Sequence, residues 1–148
     1  AECIIQKEDY TMGAWGFTTF DNDDAADWLD ELSDHQSLAL VRETIAAVLE
    51  VEPDEEVDAP LASAALAASE LIAAAIGRPS GAARKQEELM IWISKMRPSP
   101  DAALIADALS AIDRILGPHS ELRALWEESD DYAAWTDDVT QLRARLAF

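Results

Sequence analysis

Between Met12 and Trp28 the chain sets two glycines, Gly13 and Gly16, among the aromatic residues Trp15, Phe17, Phe20 and Trp28. The short oxygen-bearing side chains Asp21, Asn22, Asp23, Asp24 and Asp27 are packed into the same stretch. Three chemistries suit such a mixture. Clustered carboxylates and amides ligate hard divalent cations. Aromatic faces beside acids cage a cationic ligand. Short oxygen side chains also cap a helix start, where they accept the unpaired amide hydrogens. The spacing fails a calcium loop. Counted from Asp21, the sixth position is Ala26, where that loop turns on glycine, and the twelfth is Leu32, where it needs a bidentate glutamate. Asp23, Asp27 and Glu31 do fall on one helical face at i, i+4 spacing, which makes them the candidate ligands of a weak divalent site. The two glycines do not form a phosphate loop, because no lysine follows and the acidic neighbours repel phosphate. They read as a tight turn with positive φ that folds Trp15 under the first helix. Trp15, Phe17, Phe20 and Trp28 then form a core cluster, with a cation cage as the sharper alternative.

No catalytic constellation completes itself. His35 and His119 lie far apart and outside any metalloprotease spacing, so both read as loop residues. In Gly77-Arg78-Pro79-Ser80-Gly81 the serine comes one position late for a nucleophile elbow. Arg78, Arg84, Lys85, Lys95 and Arg97 make the one basic cluster, which reads as a solvated face. No catalytic residue and no cofactor are assigned.

Charge bounds the partners. The chain has 148 residues, 49% hydrophobic, and 30 acidic residues against 11 basic ones give a net charge of -19. Its length suits one domain with a core of its own. Nucleic acid binding needs a cationic surface, and anionic membranes repel an acidic one, so neither is expected as a partner. The acidity belongs to the first half. Residues 1–74 carry 18 acids and 2 bases, a balance of −16, whereas residues 75–148 carry 12 acids and 9 bases, a balance of −3. Solubility is the bland explanation, and an acidic face for a basic partner is the sharper one. The single cysteine, Cys3, excludes an internal disulfide framework. No stretch approaches the ~20 apolar residues of a membrane helix, and the first eleven residues lack the signature of a signal peptide, so cytoplasmic residence is expected.

The elements that must position the motif read as helices. Residues 1–11 form an N-terminal arm or upstream extension without helical period, and residues 12–148 form one helical domain. A short strand pairing the arm with Trp15–Thr19 is the alternative for that end. Asp21 or Asn22 caps a first helix that runs to about Leu32 with Trp28, Leu29 and Leu32 inward. Leu38, Val41, Ile45 and Val48 mark the second helix. An acidic loop from Val51 leads to Asp58, the expected cap of a long alanine-rich third helix with Leu61, Ala65, Ala68, Ile72 and Ile76 inward, stopped at Gly77. Ser80-Gly81 continues the turn. Leu89, Trp92, Ile93 and Met96 fit a fourth helix, with a strand as the competing reading of Leu89–Ile93. Ser99 is expected to cap a fifth helix ending at Gly117, Ser120 a short sixth, and Ser129 a last one carrying Tyr132, Trp135, Val139, Leu142 and Leu146. The fold class is all-α, about six or seven helices.

Met12-Gly13-Ala14-Trp15-Gly16, followed by Phe20-Asp21-Asn22-Asp23-Asp24-Ala25-x-Asp27-Trp28, resembles the opening of a bacterial family of unknown function, DUF4259, whose members typically begin at this methionine. Gly77-Arg78-Pro79 and Ser120-Glu121-Leu122-Arg123-x-Leu125-Trp126 resemble the family more weakly. The resemblance runs from about Met12 to Leu146, and the eleven residues before Met12 depart from it. It implies a small, mostly helical fold and transfers no activity. Three functions follow for testing. The leading one is a non-enzymatic, acidic interaction module that binds a basic protein, as an immunity or inhibitor protein does. The second is a metal-binding protein or small metal-dependent enzyme built on Asp21–Asp27. The third is a homo-oligomer with the alanine-rich helix at its interface. Asp54, Glu55 and Glu56 are expected in an exposed loop, and Asp137 and Asp138 on a helix surface.

Overall fold

The computed structural model describes residues 16–147. Among these residues it contains eight helices and no strand. They are α1 (Asp23–Leu32), α2 (Ala39–Leu49), α3 (Ala59–Ala75), α4 (Gly81–Arg84), α5 (Glu87–Met96), α6 (Ala102–Leu116), α7 (Glu121–Glu127) and α8 (Tyr132–Leu146). The arm 1–11, Gly13 and Trp15 lie outside the described residues, and so does most of the strand expected there. Gly16–Thr19, its described part, is turn rather than strand.

The alanine-rich α3 is the axis of the fold. It packs against each of the other seven helices. Its residues from Ala65 to Ala74 are buried without interruption, so no single inward stripe exists, and the expected stripe residues Leu61 and Ile76 are only half-buried. The small side chains explain this: a methyl surface on every side lets neighbours approach all around the helix. That burial also leaves these alanines enclosed within one chain rather than offered to a second copy. Ser69 satisfies its buried hydroxyl by donating to the Ala65 carbonyl at 2.8 Å. Gly77 stops the helix as expected, with φ of 86°, and the Arg78 amide reaches back to the Ala73 carbonyl at 2.8 Å.

Several caps differ from expectation. Asp58 sits at the start of α3 without capping it. Instead the Ala59 amide donates to Glu121 Oε1 at 2.6 Å, from the first turn of α7. Val57 forms a parallel bridge to Ser120, which holds the two helix starts side by side. Arg114 closes the acidic loop by donating to the carbonyls of Val51, Glu52 and Glu55. Asp101, not Ser99, caps α6, because its carboxylate reaches the Leu104 amide at 2.8 Å. Ser129 accepts from the Asp131 amide and donates to the Trp126 carbonyl, so it ties α7 to α8 without capping α8. Leu89–Ile93 is helical, and the Ser80 turn becomes the one-turn α4, with the Ser80 hydroxyl accepting from the Ala83 amide at 2.9 Å. This added turn accounts for eight helices where six or seven were expected.

Candidate functional site

The described part of the opening motif, residues 16–28, is a fastener built in two steps. The Asp21 carboxylate accepts from the Thr18 hydroxyl at 2.6 Å and from the Thr18 amide at 3.3 Å, closing a tight turn. Asn22 is the cap of α1: its Oδ1 accepts from the Ala25 amide at 2.8 Å while its Nδ2 donates to the Thr19 carbonyl at 3.1 Å. Gly16 serves this turn. Its role is space. A Cβ there would sit 2.5 Å from Asp21 Oδ2, so the glycine makes room for the carboxylate that closes the turn. Phe20 and Trp28 are buried, as a core cluster requires, whereas Phe17 stands exposed and leaves that cluster. The Trp28 indole donates to Thr44 Oγ1 at 2.8 Å, fixing α1 to α2.

The acids of α1 divide by depth. Asp23, Asp27, Asp30 and Glu31 are exposed, and Asp24 is half-buried. Burial, then the neighbouring Asp27 and Asp23, raises the Asp24 carboxyl above its ordinary value. Among the described residues no three His, Cys, Asp or Glu side chains converge as a metal site would require, and Asp23, Asp27 and Glu31 lie in an open row. His35 and His119 lie in loops.

Behind the fastener lies an ionic cluster that residue spacing alone does not reveal. Glu70, 1% exposed in the middle of α3, takes both hydrogen bonds of a fork from Arg145 of α8, each 3.0 Å. Arg145 also donates to the Arg78 carbonyl at 3.1 Å. Asp138, two turns before Arg145, accepts from the Thr19 amide and faces Glu70 and Asp21. It is half-buried, not the surface residue expected. Burial, then the Glu70 charge, pushes its carboxyl up to about 6, with Arg145 opposing. The Thr19 hydroxyl nearby is buried without a partner among the described residues. A polar cleft of about 300 Å³ opens beside Thr18, Asp21, Lys85 and Gln86. One signal in the sequence does mark this cluster. Glu70 is the lone charge between Asp58 and Arg78, in the most apolar stretch of the chain.

A folded carboxyl that keeps its proton to about 6, against 3.8 for the ordinary group, stabilises the fold less as pH rises between those values. Asp138→Asn removes that loss and keeps an oxygen for the Thr19 amide. The variant is expected to gain about 1 kcal/mol at pH 7.5, a figure discounted for solvent screening at a half-open site. The gain should vanish below about pH 4. Thermal melts of both proteins across that range read the difference, and a gain independent of pH would contradict the assignment.

A family model described as domain of unknown function (DUF4259) matches residues 13–138 of the chain. No curated protein and no solved structure matches it. No described helix is long and apolar enough to cross a membrane.

Proposed function

The chain belongs to the family described as domain of unknown function DUF4259, and from that premise we propose that it acts by binding, as an acidic interaction module for a basic protein partner. One observation carries the reading. The exposed acids Asp23, Asp27 and Asp30 of α1 have no ion-pair partner among the described residues, while Arg42, Arg123, Arg143 and Arg145 are engaged in ion pairs within the fold. Arg42 meets Asp101 at 3.0 Å, Arg143 meets Asp113 at 2.7 Å, Arg145 holds Glu70, and Arg114 holds backbone carbonyls. Like charges at i, i+4 cost a helix about 0.2–0.5 kcal/mol each. The row Asp23, Asp27 and Glu31 carries two such pairs, and the Asp24 carboxyl, raised first by burial, is raised further by the charges of Asp27 and Asp23. A cationic surface docking on α1 relieves it. We place this binding in the cytoplasm, consistent with a lone cysteine.

The expected result is an association rate that falls with salt, as the screening length shrinks from ~10 Å at 0.1 M to about 3 Å at 1 M, while dissociation changes little. Reversing Asp23, Asp27 and Asp30 to lysine should slow association about tenfold. Reversing exposed Asp130 and Asp137 should slow it far less. Asp138 is unsuited to that comparison because it touches the ionic cluster. Stopped-flow mixing with a basic protein captured at low salt gives both numbers. An on-rate indifferent to salt, or equal for the two sets, would leave the acidity to solubility alone.

A further inference from the structure

Helices α1 and α5 leave a groove of about 240 Å³ between them. Leu29 and Leu32 of α1 line one side, and Ile91, Trp92 and Met96 of α5 line the other. Ile91 is 47% exposed, the most open large aliphatic side chain among the described residues. The Trp92 indole is held by its bond to the His35 carbonyl at 2.9 Å, so the ring is anchored where it borders the groove. The volume falls below the ~300–1,000 Å³ typical of small-molecule sites, and suits an inserted side chain better than a free ligand.

We infer that this groove docks the apolar face of a cationic amphipathic helix, a deepening that rests on the binding role proposed above. Charge complementarity selects the occupant. Asp23, Asp27 and Asp30 follow at i, i+4 and i+7, an exposed acidic ridge on the solvent face of α1, Asp34 stands exposed in the turn after it, and Glu88 lines the opposite wall of the groove. A helix with leucine-like anchors at i and i+4 in the groove thereby brings flanking lysines or arginines against the ridge. A second copy of the chain is a poor occupant, since it brings its own -19 charge to the same surface. Among the described residues Lys95 is the one cation lining the groove, and it opposes a basic helix at that end.

The test uses the full chain and three designed helical peptides of about 18 residues: a leucine/lysine amphipath, a twin with every leucine replaced by alanine, and a twin with every lysine replaced by glutamate. Titrations at low salt, followed by calorimetry, should show binding of the leucine/lysine peptide alone at micromolar strength. Ile91→Asp, at an exposed position, should weaken it about tenfold. Lys95→Glu should tighten it severalfold, a gain that no folding defect produces. Equal binding of the alanine/lysine twin would uphold the acidic role and overturn the groove. Equal binding of the leucine/glutamate twin would overturn charge selection and with it both readings. Failure of both lysine peptides would do the same. Self-association abolished by Ile91→Asp in sedimentation would make the second copy the occupant and overturn the inference.

Discussion

Trp28→Ala is expected to destabilise the protein by about 3–5 kcal/mol, read as a fall in the denaturant midpoint at unchanged slope. The indole is 4% exposed and lies between α1 and α2. Truncation removes its apolar area from the core and leaves a cavity that the alanine-lined α3 has few long side chains to fill. The hydrogen bond is the smaller part. Thr44 Oγ1 also donates to the Leu40 carbonyl at 2.7 Å, so the loss of the indole orphans no buried donor. Trp28→Phe should therefore recover most of the deficit, because it restores volume without the bond. Against a total stability of about 5–15 kcal/mol, the alanine change takes a large share. An unchanged midpoint would mean that the opening motif fastens nothing.

What the sequence reveals, and what it conceals, divides by range. The helix α1 was legible because its cap, its acidic first turn and its inward Trp28, Leu29 and Leu32 all lie within a few residues. The end of α3 was legible for the same reason, since Gly77 and Pro79 act locally. Caps supplied from a distance were not. Glu121 reaches the Ala59 amide across 62 positions, and nothing around Asp58 announces that its own side chain will go unused. Gly16 serves a purpose that sequence spacing does not show: Asp21 needs the space, and only the folded turn shows which atom fills it. Asp138 was misplaced because helical spacing gives the face of α8 but not what packs on it. The central place of α3 was half legible. Its alanines announced close packing, but not that seven helices would surround it.

Arg145→Ala is expected to cost about 3–5 kcal/mol, although the arginine itself is partly open to solvent. The cost arises at the other end of the pair. Glu70 is 1% exposed and takes both 3.0 Å bonds from the one guanidinium, so the change leaves a buried charge without its partner. Asp138, which Arg145 helps to keep ionised, then faces Glu70 with the opposing cation gone. A proton on Asp138 relieves this opposition. The deficit should shrink as pH falls from 7.5 toward 5, whereas a deficit caused by lost packing would not move. Glu70→Leu combined with Arg145→Met separates the two causes further. Replacing both partners with apolar groups of similar volume removes the desolvation cost along with the attraction, and such exchanges are often neutral or stabilising. The double variant is therefore expected to melt near the unaltered protein and well above Arg145→Ala. If the double variant is as weak as the single one, the pair is not the source of the loss, and the contact of Arg145 with the Arg78 carbonyl, which ties α8 to the end of α3, takes its place.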